Sequence, residues 1–448
     1  MTVESDDLVR VRRAVEALRS GVPSRHAVET LGCGQPAIET RVRQQLEDAA
    51  ANGPAKQVPG TLIAGGFGTG KSHLLEYIQH IAIEENFVCS KVVISKETPL
   101  YDPVKVYRAA ILGAKTPGRA GAALTEIVST LNVRGQPFQE LIEWTQSSES
   151  GLHPRFAALT YLLDPARAGQ EAREQIVAHL AGDRLGVAPI RAWLREARAD
   201  AVFQMTPIAD RELSLQRFRY VPRLFAAAGY AGWLLLFDEV ELIGRYSLQQ
   251  RTKSYAEIAR WLGKPPSKGF PGVTAVLAIT SDFAAAVLEP GGKNDLDGIP
   301  NRLAARGQAI AANPSRAGRA GRTDEAEIYR LAERGMNAIR RDAIALRQPD
   351  KAMRGRTYDL VRALHARAYD WEPPDVDRIE WLGSRPVREY VRSWITEWDL
   401  ARLYPGYRAQ VEVEEVVLSY AEAPELEPPT EEAEDLREDG TSDGDPVS

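Results

Sequence analysis

The stretch Thr61 to Leu75, TLIAGGFGTGKSHLL, constrains this chain more than any other. It spells GxxxxGK[ST] as Gly65, Gly66, Phe67, Gly68, Thr69, Gly70, Lys71 and Ser72. An apolar run, Thr61 to Ala64, leads in and an apolar-periodic stretch, His73 to Ile83, leads out, so the string sits between a strand and a helix, as a phosphate-binding loop requires. Glycines let the backbone turn tightly and aim successive N–H groups inward, and the new helix adds the positive end of its dipole. A polyphosphate then finds its donors already in place. Lys71 is expected to reach the β- and γ-phosphates of ATP, and Ser72 to put its hydroxyl on Mg²⁺, whose octahedral preference suits one hydroxyl with phosphate oxygens and waters. His73, the next residue, joins Gly65 to Ser72 as a nucleotide-binding candidate.

A chain of 448 residues can bury a sizeable core, and at about 150 residues per domain it divides into two or three. With 44% hydrophobic and 26% charged residues it reads as ordinary globular protein. No run approaches the roughly 18 apolar residues of a membrane span, and MTVESDDLVR carries no secretory apolar segment, so a cytoplasmic protein without membrane association is expected. Cys33 and Cys89 stand apart without metal-type spacing, which fits a reducing compartment and argues against a zinc site. Charge is uneven. From Ala421 to Ser448 eleven Asp and Glu face one Arg, a net of −10 within a whole-chain −6, so residues 1–420 carry +4. A mildly basic body permits DNA contact without demanding it.

Taken in order, Leu8, Val11, Val15 and Leu18 share a helical face, and Ser24 is placed to cap a short helix through Ala27 to Leu31 that Gly32 and Gly34 end. A third helix runs from Ala37 to about Ala50. The pair around a glycine turn reads as a helical collar beside the nucleotide pocket rather than a helix-turn-helix DNA reader, because no basic recognition face stands out. Phe87 to Ser95 reads as a second strand. From about 100 to 230 the pattern is mostly helical, a long insertion in which Trp144, Tyr161 and Trp193 read as core.

Trp233 to Glu241, WLLLFDEVE, is the second informative stretch. Its apolar run suits a strand buried on both faces of a parallel sheet, with the acids at the carboxyl end where ligands of such sheets bind, the Walker B arrangement. Asp238 is expected to hold the Mg²⁺ shell and Glu239 to orient and polarise the attacking water. After a charged helix, Tyr246 to Leu262, Val273 to Ile279 reads as another buried strand. It ends in Thr280 and Ser281, either of which fits a sensor-one residue beside the γ-phosphate. Gln308 to Ala312 is read as a fifth short strand. Arg302 and Arg306 are candidates for an arginine finger toward a neighbouring subunit, or solvated helix arginines, and Asn313 to Thr323 reads as a loop whose arginines suit phosphate-backbone contact or plain solvation. From Asp324 to Leu403 the pattern is all helical, a lid whose last helix opens with Ser384 as cap and Pro386 in its first turn, placing Arg385 and Arg388 where a sensor-two arginine reaches back.

The expected architecture is therefore α/β, an AAA+ type P-loop NTPase with a parallel sheet flanked by helices. Its parts are an N-terminal helical segment (1–52), a core (53–312) with the insertion at about 100–230, a helical lid (313–403), a short strand-like end (404–422) and a disordered acidic tail (423–448). The segments LRSGVPSRHAVETLG, GGFGTGKSHLL, VVISKETPLYDPVKVYRAAI, LLLFDEVELI and SRPVREYV resemble the ATP-binding proteins of BREX bacteriophage-defence systems, the BrxD type, over nearly the whole chain except the tail. The resemblance implies a cytoplasmic ATPase within a multi-gene system that marks host DNA and restricts phage DNA, beside a helicase partner. It transfers Gly65, Gly70, Lys71 and Ser72 to phosphate binding, Asp238 and Glu239 to metal and water, and less directly Arg385. Three readings of function remain: an ATP-driven remodeller of DNA or a protein partner, able to form a homo-oligomer; a nucleotide-switched scaffold or loader that rarely hydrolyses; and an Orc-like DNA loader. Glu239 favours the first, and residues 404–448 are too short for the winged helix that the third needs.

Overall fold

The computed structural model describes residues 3–21, 24–118, 123–264, 269–302, 319–376 and 387–407. Its centre is a six-stranded sheet of order β3-β2-β4-β5-β1-β6, made of β1 (Thr61–Gly65), β2 (Val88–Val93), β3 (Ala114–Lys115), β4 (Trp233–Asp238), β5 (Val273–Thr280) and β6 (Ile344–Ala345). All neighbours run parallel except β3, which pairs antiparallel with β2. Every residue of β4 and of β5 is buried, as strands covered on both faces must be. Alternation then sorts their side chains. Trp233, Leu235 and Phe237 join one core with Ala275, Leu277 and Ile279, while Leu234 and Leu236 join a second with Val276 and Ala278.

The first core fills the space between the sheet and the helical insertion, α5 (Pro103–Leu112), α6 (Ala123–Ser129), α7 (Gln136–Gln146), α8 (Pro154–Leu162), α9 (Gln170–Ala181), α10 (Val187–Glu196) and α11 (Asp210–Ala227). Phe218 of α11 is its hub, with ring centroids 5.1 Å from Tyr107, 5.7 Å from Trp233 and 4.9 Å from Trp261. Trp233 also donates its indole N–H to Ser90 at 2.8 Å, so its polar atom is satisfied inside the core. Trp144, Tyr161 and Trp193 pack against the same core. The opposite face carries α3 (Pro36–Asn52) and α4 (Lys71–Glu84). Gln45 of α3 is buried there, donating to Thr274 at 2.6 Å and accepting from Thr61 at 2.6 Å, which ties the helix to β5 and β1 at once.

A third core joins the two ends of the described chain. Val11, Ala14, Val15 and Leu18 of α1 (Val3–Ser20) pack with Tyr358, Val361 and Leu364 of α14 (Lys351–Tyr369) and with Trp394, Ile395 and Trp398 of α15 (Val387–Leu403). Between α1 and α3 lies α2 (Arg25–Leu31), capped by Ser24, whose hydroxyl accepts from the Ala27 N–H. Two further helices are α12 (Leu248–Trp261) and α13 (Arg319–Arg341).

Two parts of the sheet differ from the sequence expectation. The mostly helical insertion also carries an edge strand that the sequence did not mark, because Gly113 ends α5 hard against β2 and lets β3 return antiparallel; a Cβ there would meet the Lys91 carbonyl oxygen at 2.9 Å. The stretch 324–403 is not all helical, since β6 adds beside β1, with the Leu346 N–H donating to the Ala64 carbonyl at 2.7 Å. A two-residue strand leaves no periodicity to read. The fifth strand expected at 308–312, Arg306, residues 313–318, the segment 383–386 with Arg385, and everything from 408 on lie outside the described residues. Residues 319–323, expected as loop, begin α13. Among the described residues no helix is long and apolar enough to cross a membrane.

Candidate functional site

The carboxyl ends of β1, β4 and β5 bring the predicted residues to one edge of the sheet. β5 lies between β1 and β4, and Gly65 stands in register with Thr280. The Ser281 N–H donates to the Gly65 carbonyl at 3.3 Å. Beyond Gly65 the chain closes on itself, the Thr69 hydroxyl donating to the Gly66 carbonyl at 2.8 Å. Gly68 and Gly70 hold φ of 73° and 95°, left-handed values that a side chain would strain. Gly70 is also the N-cap of α4 and has no side chain to occupy the helix end, so the first-turn N–H groups point toward the loop.

A cavity of about 330 Å³ opens over this loop, lined by Phe67 to His73 on one side and by Glu239 and Glu241 on another. Lys71 is buried, its ammonium donating to the Gly65 carbonyl at 3.1 Å and the Gly66 carbonyl at 3.4 Å. Its Nζ also lies 3.6 Å from Glu241 Oε1. Burial pushes the Glu241 carboxyl up to about 7, outweighing the neighbouring Lys71, and its Oε2 is buried with no hydrogen-bond partner. Asp238 is buried at the end of β4 and pairs with Lys91 of β2 at 3.0 Å. Glu239 follows with φ 59°, a left-handed backbone uncommon outside glycine, and its side chain is exposed. Such a backbone lets consecutive acids diverge, Asp238 into the sheet edge and Glu239 toward the cavity.

His73 lines the cavity, but its ring is engaged, with Nε2 2.7 Å from the Gly32 carbonyl. Burial pulls its pKa down, so the neutral ring donates there and pins α4 to the end of α2. Thr280 is buried and Ser281 exposed at the end of β5. Neither contributes to the cavity wall, nor does Asp238. Phe67 is 44% exposed, with the Arg388 guanidinium 6.0 Å from its ring centroid. Arg388 and Arg356 both line the cavity, from α15 and α14. Arg302 is exposed at a separate cavity of about 120 Å³ with Gln249 and Tyr329.

Sequence reasoning missed four features here. Glu241 is the third acid of Asp238-Glu239-Val240-Glu241, and its spacing was the available signal. Lys91 sits mid-strand, where nothing local marks it. Arg356 belongs to a helix read only for its apolar stripe. The apolar end of the cavity is built from Leu18, Leu31, Leu346, Met353, Leu360 and Val391, far apart in the chain.

With this geometry in view, the comparison with known families is decisive. The model of the family described as BREX system ATP-binding protein BrxC/D matches residues 9–311. The chain belongs to the BrxC/D family. It is thus an ATP-binding component of a BREX phage-defence system. The match takes in the loop, Asp238 and Glu239 at the end of β4 and the end of β5 of this BrxC/D protein, whereas β6, α13, α14 and α15, with Arg356 and Arg388, lie beyond it. Comparison with curated proteins found no match, and comparison with solved structures found none.

Proposed function

We propose that this BrxC/D protein is an AAA+ ATPase that binds ATP with Mg²⁺ in the cavity above β1, β5 and β4 and hydrolyses it to drive remodelling of DNA or of a partner protein. The carrying observation is that Lys71, Ser72 and Glu239 line one cavity together with two arginines from the C-terminal helices. The strand order supports the AAA+ assignment, because the strand bearing the loop and the strand bearing the acids are separated by one whose end carries Thr280 and Ser281. In this reading the loop amides and Lys71 hold the phosphates. Arg388, or Arg356, contacts the γ-phosphate in the role expected of Arg385. Glu239 orients the attacking water, Thr280 or Ser281 senses the γ-phosphate from the strand end, and the apolar end of the cavity takes the base.

The donor set fits Mg²⁺. One hydroxyl (Ser72) and one carboxylate (Asp238) suffice for an ion that keeps waters and phosphate oxygens, and no cluster of three or more His, Cys, Asp or Glu stands ready for another metal among the described residues. Bound there, the ion would neutralise charge on the β- and γ-phosphates. Asp238 is held for that role by Lys91.

A nucleotide switch that rarely turns over is the competing reading, favoured by the solvent exposure of Glu239. Steady-state hydrolysis separates the two. Glu239→Gln should keep ATP binding and lower turnover by about 10²-fold or more, the range of a lost general base. Unchanged turnover overturns the catalytic assignment, and wild-type protein that binds ATP without turnover establishes the switch. Partners are other BREX proteins, a helicase among them, in the cytoplasm; exposed Arg302 is free to serve a neighbouring subunit in a homo-oligomer, and DNA contact rests on the mildly basic body.

A further inference from the structure

Glu241 is the one buried acid on the cavity wall for which the phosphate, metal and water roles above leave no task. It is 5% exposed, lies 3.6 Å from the Lys71 ammonium through Oε1, and leaves Oε2 buried without a hydrogen-bond partner. It stands on the short 3-10 helix Val240–Arg245 that follows β4, so its backbone is fixed by the same strand that fixes Asp238 and Glu239. Lys71 meanwhile has three oxygens around it: the Gly65 carbonyl, the Gly66 carbonyl and Glu241. An ammonium has three N–H donors. Two of these directions are taken by the loop carbonyls and the third side of the ammonium faces Glu241 at ion-pair distance, so the phosphates compete with the protein's own acid for Lys71.

We propose that Glu241 is a latch on Lys71 which nucleotide must open, and that it thereby sets how strongly the site prefers ATP over ADP. This rests on the reading of Lys71 as the phosphate-binding lysine. The two carbonyls belong to the loop that cradles the phosphates and stay with it, so the side chain of Glu241 is the partner able to give way. While it is latched, the apparent affinity for nucleotide is the intrinsic affinity reduced by the fraction of molecules with Lys71 released. Opening brings a second cost, because a carboxylate is left facing the incoming phosphate charge in a poorly solvated place. That cost grows with the γ-phosphate, which adds negative charge on the side Lys71 reaches. ADP therefore meets less opposition from Glu241 than ATP does.

The test is the affinity of the full-length protein for ATP and for ADP, measured by calorimetry at about pH 8, where Glu241 carries its charge, in the wild type and in Glu241→Gln, with Lys71→Ala as reference. Glu241→Gln keeps the shape and removes the charge; the latched fraction it returns is expected to tighten ATP and ADP alike, by about twofold, and removing the carboxylate that faces the γ-phosphate is expected to bring the gain for ATP to about tenfold. Glu241→Asp, which keeps the charge but draws it back by one methylene, is expected to shift ATP in the same direction by a smaller factor, and it carries the test if Glu241→Gln does not fold. A carboxylate with only a structural role moves ATP and ADP alike. An unchanged ATP-to-ADP ratio in the folded variants, or weaker ATP binding, overturns the latch. Should ATP affinity survive Lys71→Ala, the site reading fails; should it be lost there while the Glu241 variants leave the ratio unchanged, only the latch fails.

Discussion

Glu241 departs from the ordinary behaviour of a carboxyl, and the departure has a sign. Its carboxyl is raised from 4.5 to about 7 by burial, so the folded protein holds a proton there that the unfolded chain has released. Stability from this group is complete below pH 4.5 and declines as pH rises to about 7, by on the order of 3 kcal/mol. Thermal or urea unfolding of wild type and Glu241→Gln across pH 5 to 8 checks it. The wild type should lose stability over that range relative to the variant, and parallel profiles would contradict the burial account. Residue-scale legibility was uneven. Lys71, Ser72 and Glu239 were readable because their spacing from glycines and from an apolar run is itself the signal. Lys91 and Arg356 were not, because a lone basic residue in a strand or helix looks the same whether it faces solvent or an acid.

Among the elements, α12 shows how a charged helix can be core. Arg251 forms a bidentate pair with Asp295, at 2.7 and 2.8 Å, and Tyr255 donates to the same carboxylate at 2.7 Å, all of them buried. Arg251 also donates to the Tyr246 carbonyl at 2.5 Å, linking α12 to the segment that follows β4. Asp295→Ala removes the bidentate partner of a buried guanidinium and the acceptor of the Tyr255 hydroxyl, and is expected to cost about 3–5 kcal/mol in urea unfolding. A loss under 1 kcal/mol would mean that water replaces the acid. The sequence marks this helix by its mixed charge, which ordinarily signals a solvated face, so its burial could not be read. Strands β4 and β5 were legible for the opposite reason: a run buried on both faces is apolar throughout. β6 was not, since two residues carry no pattern and their pairing with β1 comes from chain that is distant in sequence.

At the scale of the molecule, the two ends of the described chain build one wall of the cavity together. α1 and α2 contribute Leu18 and Leu31, α14 and α15 contribute Met353, Leu360 and Val391, and their shared core holds the wall in place. Trp394→Ala, a truncation inside that core, is expected to cost about 3–5 kcal/mol and to weaken ATP binding although it lies outside the cavity lining; unaltered ATP affinity would show that the helical wall is dispensable. This long-range closure is why the sequence disclosed the phosphate end of the site and not the base end. Every role assigned to the cavity requires one binding event, and isothermal calorimetry with ATP and Mg²⁺ on the folded full-length protein measures it directly. Saturable heat with one site per chain is expected in the wild type and none in folded Lys71→Ala. Heat absent from the wild type, or equal in both proteins, would contradict the assigned roles.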